Sequence, residues 1–138
     1  LTNEELELFK KKEAQTTDIQ YSLESYEQLN EYNKLLFDKL NSRIMSLSNF
    51  VKREFKKLYV AYKADTNFVD VVIQKKRLRL SINMKFADVV DLKGICRDVT
   101  EVGRWGNGDV EVFFNNVSET DDIMAIIQQA FRLQEVEW

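Results

Sequence analysis

The residues whose types and spacing could do chemistry concentrate in a basic, strand-like segment near the middle of the chain. Arg77 and Arg79 alternate with Leu78 and Leu80, so in a strand both guanidinium groups would project from one face. Cations at that spacing, with an aromatic group beside them, could track phosphates and stack bases. The candidate anion- or nucleic-acid-binding residues in this region are Tyr59, Lys63, Lys75, Lys76, Arg77, Arg79 and Lys85.

The charge of the chain is unevenly spread. Residues 52–85 hold ten basic residues against three acidic ones, a net charge of +7; the whole chain carries −3, so the remainder carries −10. Such asymmetry can mark a surface for an anionic partner. The alternative is that Arg77 and Arg79 pair across strands with Asp109 and Glu111 on an ordinary solvated face.

A second candidate is the glycine cluster over residues 103–109, which has the spacing GxxGxG. Backbone amides in such a loop could hold an anion with help from Arg104, and Trp105 is a candidate stacking group. However, the cluster leads into a strand, whereas a dinucleotide fingerprint follows a strand and opens a helix. The alternative is a tight connection in which Trp105 packs down as a plug.

Asp70, Gln74 and Lys76 partly fit the pattern of restriction-type nucleases, in which carboxylates hold magnesium and a lysine steadies the attacking water or phosphate. Here the Asp lies only four residues before the Gln, so both would occupy one strand instead of two. A carboxylate-metal-dependent nuclease using Asp70 and Lys76 is therefore an alternative function. A third is a small-ligand pocket between helix and sheet, roofed by the glycine loop.

The chain contains no histidine. This excludes Ser-His-Asp and Cys-His catalysis, imidazole general bases and histidine-based zinc sites. Cys96 is the single cysteine, so no intrachain disulfide can form. Because the chain lacks histidine, no imidazole is present to activate its thiol group. We assign no catalytic residue, no metal ligand and no cofactor.

The elements that must position these residues follow from capping signals and hydrophobic period. Helices are predicted over residues 2–13 and from about Ser25 to Leu47, with a further helical turn through Phe55. Alternation predicts strands over residues 58–63, 68–73, 77–85 and 109–114, before a last helix capped by Ser118.

This order predicts an α+β, two-layer sandwich with a mainly antiparallel four-stranded sheet. The long N-terminal helix and the C-terminal helix would pack on one face and leave the other in water. We divide the chain into an N-terminal helical extension over residues 1–20 and a single α+β domain over residues 21–138.

Composition also predicts where the protein works. One cysteine fits a reducing compartment, no apolar run approaches the roughly 20 residues of a membrane span, and the acidic start is unlike a signal peptide. We expect a cytoplasmic protein without a membrane partner, and leave its oligomeric state open.

From about Tyr21 to Gln134 the chain resembles a bacterial and archaeal domain of unknown function, found alone or at the C-terminal end of predicted restriction-type nucleases, defence proteins and so-called predicted transport proteins. The family often has His where Arg104 stands, which argues against a shared acid–base role there. The resemblance implies a non-catalytic accessory module that contacts nucleic acid or a protein partner. The motifs that carry it are Tyr59-Val60-Ala61-Tyr62-Lys63, Asn67-Phe68-Val69-Asp70, Gln74-Lys75-Lys76, Leu78-Arg79-Leu80, Arg97-Asp98-Val99 and Gly103-Arg104-Trp105-Gly106-Asn107-Gly108-Asp109.

Overall fold

A computed structural model describes residues 2–3, 20–102 and 108–136. Most of the predicted N-terminal helical extension, together with Arg104 and Trp105, lies outside this part of the chain. The described helices and strands are α1 Glu31–Met45, β1 Lys52–Phe55, β2 Val60–Lys63, β3 Asn67–Gln74, β4 Arg77–Ile82, β5 Arg97–Asp98, β6 Val110–Phe114 and α2 Thr120–Val136.

The α+β fold class is confirmed, but the described sheet has six strands where four were predicted. Its order is β1-β2-β3-β4-β6-β5, and every neighbouring pair is antiparallel. The predicted helical turn through Phe55 is instead β1, because Phe55 pairs with Val60 and closes a hairpin. The other missed strand, β5, is a two-residue edge that pairs with β6.

The long helix is shorter than predicted and begins at Glu31. Its N-cap is Asn30, whose side chain accepts from the backbone of Asn33, while the Asn33 side chain accepts from the backbone of Asn30. This is a capping box in which Asn replaces the usual Glu or Gln. The predicted cap Ser25 lies in a short 3-10 turn, where its hydroxyl donates to Ser22 O.

The core lies between one face of the sheet and the two helices. Leu36, Leu40 and Ile44 of α1 are buried at helical spacing, and the Phe68 and Phe131 rings meet edge-on at 5.3 Å between β3 and α2. Side chains from alternate strand positions complete the core: Val60, Tyr62, Val69, Val71, Ile73, Leu78, Leu80, Ile82, Val110, Val112 and Phe114.

The opposite face was expected to lie in water, and its centre does not. Ala61, Asp70, Ser81 and Glu111 stand side by side on four adjacent strands and are all buried. Buried carboxylates require polar partners, and these two have them. Asn67 donates to Asp70 at 3.1 Å, and Glu111 forms an ion pair with Arg97 at 3.3 Å.

In the described part of the chain, neither helix has the length and apolar character that crossing a bilayer would need.

Candidate nucleic-acid interface

Most of the predicted cations gather at one end of the sheet. The turns of the β1–β2 and β3–β4 hairpins emerge at this end because β2 and β3 are adjacent and antiparallel. We call this surface the basic end. It consists of Lys56, Lys57, Lys75, Lys76, Arg77 and Arg79.

Arg77 is held flat against an aromatic ring. Its guanidinium carbon lies 3.7 Å from the centroid of Phe113, and its Nε donates to Gln74 Oε1 at 2.8 Å. Both contacts restrict the guanidinium group, and neither uses the hydrogen-bonding capacity of its terminal nitrogens. A planar, pre-oriented fork of N–H donors suits bidentate bonds to a phosphate or carboxylate.

Lys75 and Lys76 form the exposed turn between β3 and β4. The backbone of this turn is fastened to the start of α1, because Asn30 Nδ2 donates to Lys75 O at 2.7 Å and Asn33 Nδ2 donates to Gln74 O at 3.0 Å. Ordering the turn backbone in advance lowers the entropy cost of binding there.

The cations of the basic end differ in whether a described carboxylate pairs with them. Ion pairs among the described residues include those of Arg43 with Asp121, of Lys56 and Lys63 with Glu54, and of Arg97 with Glu111. Neither lysine of the β3–β4 turn takes part, and neither does Arg77. A cluster of three positive charges that pair with no described carboxylate therefore stands at the tip of the hairpin.

The β1–β2 turn is also fixed from behind. The Tyr26 hydroxyl lies 2.7 Å from Lys56 O and 2.8 Å from Tyr59 O, and the Lys56 amide donates to Tyr59 O at 2.8 Å. Burial raises the pKa of Tyr26 to about 12, so this hydroxyl stays a neutral donor. The half-buried ring of Tyr59 thus sits on a rigid turn.

Two predicted members of the site lie elsewhere. Lys63 is 3.0 Å from Glu54, whose pKa is lowered by hydrogen bonds from Lys56 and then Lys63. Lys85 follows the end of β4 and is exposed at the opposite end of the sheet.

That opposite end carries charges of both signs. Asp65, Asp88 and Asp109 line an open cleft of about 900 Å³, together with Lys63 and Lys85, so carboxylates exceed lysines by one among the lining residues. We call this region the acidic end. Its three carboxylates are separated from the basic end by the length of the strands.

The residues of the predicted nuclease alternative are not brought together. Asp70 lies in the middle of β3 and is 1% exposed, whereas Lys76 lies in the exposed turn. The four residues from Asp70 to Gln74 alone span roughly 13 Å of strand. Within the described residues, no group of three or more Asp, Glu or Cys side chains is arranged to hold a metal ion.

Sequence reasoning missed the parts of the site that come from outside the basic strands. Phe113 was read only as part of a strand, and the clamp by Asn30 and Asn33 was not anticipated. The one available signal was the Asn-x-x-Asn spacing before an apolar run, since Asn is a favoured N-cap.

Two comparisons bear on what the chain is similar to. The sequence model of a family described as a domain of unknown function (DUF5655) matches residues 24–134. A protein of Haemophilus influenzae, described as an uncharacterized protein, is 33% identical over 97 residues, which cover 70% of this chain and 32% of that protein. The chain thus spans about a third of the length of this curated relative. No solved structure matches the chain.

Proposed function

Because the chain belongs to the DUF5655 family of domains of unknown function, we propose its role from its own surface: it is a non-catalytic module that binds nucleic acid through the phosphate backbone. The observation that carries this proposal is the guanidinium group of Arg77, held on Phe113 beside two exposed turn lysines that no described carboxylate neutralises. The module works as an accessory to a restriction or defence system in the cytoplasm.

Phosphate is the anion that best fits this arrangement. Three adjacent cations within one hairpin turn can each meet a different phosphate of a chain, and each contact releases condensed counterions. Arg77 supplies a directional fork, while the lysines act as mobile point charges. A single small anion would use only part of this set.

The accessory role is supported by the length of the relative. A segment that forms about a third of the Haemophilus influenzae protein is the size of one domain among others. Sequence resemblance implies the link to restriction or defence enzymes, and the basic end supplies a reason for it, since such enzymes act on nucleic acid.

The test measures binding of a fluorescent oligonucleotide by anisotropy at several salt concentrations. If three cations meet phosphates, the slope of log K against log salt should be about −2 to −3. Reversing all three charges, by Lys75→Glu, Lys76→Glu and Arg77→Glu together, should weaken binding about 100-fold or more.

A matched control separates the site from net charge. Lys39→Glu, Lys93→Glu and Arg132→Glu together change the charge of the protein by the same amount at exposed positions outside the basic end. This triple variant should lose less than about fivefold in affinity, through long-range electrostatics alone. Equal losses in both triple variants, with each folded by circular dichroism, would sink the proposal.

A further inference from the structure

The basic end borders a cleft whose walls are largely aromatic and aliphatic. Its volume is about 830 Å³, in the range of small-ligand sites. We call it the tyrosine cleft. Its main lining residues are Tyr21, Tyr26, Lys57, Tyr59, Val72 and Arg79.

The tyrosines of this cleft differ in what they can offer a ligand. Tyr26 is buried and its hydroxyl is committed to the β1–β2 turn, so it is part of the wall. Tyr21 and Tyr59 are half-buried, and each presents part of its ring to the cleft. The carbonyl oxygen of Tyr59 accepts from the Tyr26 hydroxyl and the Lys56 amide, which orders the backbone that carries the ring before any ligand arrives.

Charge in the cleft complements an anionic ligand with a planar apolar part. Lys57 stands in the turn at the rim, and Arg79 lies on the strand face two residues from Arg77. Glu27 contributes one carboxylate among the lining residues. Aromatic rings beside cations are the arrangement by which proteins stack nucleobases while holding the adjoining phosphates.

We propose that the tyrosine cleft receives an unpaired base, so that the nucleic acid bound at the basic end is single-stranded. This inference rests on the proposed function and narrows its substrate class. In a duplex the bases are paired and stacked inward, and their flat faces reach a protein pocket only after extrusion from the helix. A single strand can instead lay its phosphates across the hairpin turn and place one base on Tyr59.

The test compares three probes of equal length, about ten nucleotides: a single-stranded oligothymidine, the same sugar-phosphate chain without bases, and a duplex. The oligothymidine should bind about tenfold more tightly than the abasic chain, because stacking on an aromatic side chain contributes binding free energy that phosphates alone do not. Its affinity for the protein should also exceed that of the duplex at the same salt concentration.

Variants at one position isolate the stacking contact. Tyr59→Ala should weaken oligothymidine binding by about fivefold to 100-fold and leave binding of the abasic chain unchanged. Tyr59→Phe, which keeps the ring and loses only the hydroxyl, should retain the preference. Thermal unfolding of each variant checks that the turn is intact.

The possible failures are distinguishable. If the abasic chain, the oligothymidine and the duplex all bind equally, and Tyr59→Ala changes nothing, the cleft does not receive a base although the basic end still binds phosphates. Tighter binding to the duplex than to the oligothymidine would also show that the cleft does not receive an unpaired base. If none of the three probes binds with a salt-dependent affinity, both the proposed function and this inference are wrong.

Discussion

The two ends of the sheet are built from the same strands and differ in the contacts that hold their turns. At the basic end, the turns are held from behind by Asn30, Asn33 and Tyr26, and the side chains of the turn lysines point into solvent. At the acidic end, the turn backbone itself is hydrogen-bonded to a side chain of α2. Gln134 of α2 accepts from the amides of Asp65 and Thr66, and its own amide donates back to Thr66 O.

The difference teaches how one fold can separate stability from binding. Hydrogen bonds from α2 stabilise the acidic end directly, so its residues are constrained by packing. The basic end receives its backbone order from α1 and the segment before it, and the side chains of Lys75 and Lys76 form no ion pair with a described carboxylate. We therefore expect changes at the acidic end to alter folding and changes at the basic end to alter binding.

The largest expected effect lies at Gly108 of the acidic end. A Cβ atom there would stand 2.0 Å from Ile82 O and 2.7 Å from Asn83 Cα, both backbone atoms. Gly108→Ala should therefore lower the free energy of unfolding by about 3 kcal/mol or more. Gly94→Ala is the control: its φ of 66° strains the variant, but no heavy atom lies within 4 Å of the new Cβ, so we expect about 1 kcal/mol. Urea denaturation measures the free energy of unfolding of both variants. Equal losses would contradict the prediction, because they would show that the neighbouring backbone shifts to accommodate the new Cβ atom.

Asn33 tests whether the basic end depends on α1 for its order. The side chain is buried and donates to Gln28 O and Gln74 O while capping the helix. Asn33→Ala should cost about 2–3 kcal/mol, because a buried side chain is lost from two hydrogen bonds to carbonyl groups and the capping box is broken. Asn30→Ser keeps a capping oxygen and loses the exposed hydrogen bond to Lys75 O, so it should cost about 1 kcal/mol. If urea denaturation showed that Asn33→Ala lowers the free energy of unfolding by only about 0.5 kcal/mol, as a substitution at an exposed polar position does, the clamp would not stabilise the turn.

Gln134 carries the corresponding prediction for the acidic end. Gln134→Ala removes the acceptor of two backbone amides and should cost about 2 kcal/mol. Binding of the oligonucleotide should be unchanged under conditions where the protein remains folded. Gln128→Ala, one turn and a half earlier on the same helix, should stay within about 0.5 kcal/mol of the parent. Loss of binding by a folded Gln134 variant would contradict the separation of the two ends.

A smaller effect is expected from the ring beneath Arg77. Phe113→Leu keeps an apolar side chain but removes the aromatic face, which stabilises the guanidinium group by about 1 kcal/mol. Affinity for the oligonucleotide should fall about threefold to fivefold. A double-mutant cycle with Arg77→Ala measures the coupling, and additive losses would mean that the stacking does not orient the arginine.

The smallest effect concerns Glu54, whose pKa is lowered by hydrogen bonds from Lys56 and then Lys63. A lowered folded-state pKa gives stability that is present above the unfolded value of about 4.3 and is lost as the pH falls through the folded one. Because the pair is largely solvated, Glu54→Gln should cost about 0.5 kcal/mol or less near neutrality. The difference from the parent should shrink as the pH falls through the lowered folded-state pKa of Glu54, and Glu101→Gln, at an exposed position, serves as control.

Much of the fold could be predicted because the central strands alternate strictly. The pattern from Arg77 to Ile82 gave the strand and the face of each side chain correctly. By contrast, β1 is short, charged and at an edge, so its stability comes from pairing with β2 and leaves no periodic signal. The helix start was placed at the wrong cap because Ser25 and Asn30 both satisfy the spacing rule, and only tertiary contacts decide between them.

The site was predictable in its residue types and less so in its arrangement. Arg77 and Arg79 share a face as the alternation required, whereas Lys63 is occupied by Glu54. That ion pair depends on a strand that the sequence did not reveal, since β1 is what brings Glu54 beside β2. Which cations are neutralised is therefore a property of strand pairing and could not be read from local sequence.

The open edge of β1 has a consequence for how these molecules behave in concentrated solution. An unpaired edge strand can recruit the same strand of another molecule and begin an aggregate. Here Lys52 and Arg53 are exposed on that edge, so two copies aligned edge to edge would bring like charges together. The positive charge of β1, which lies outside the basic end, would then hold identical sheets apart.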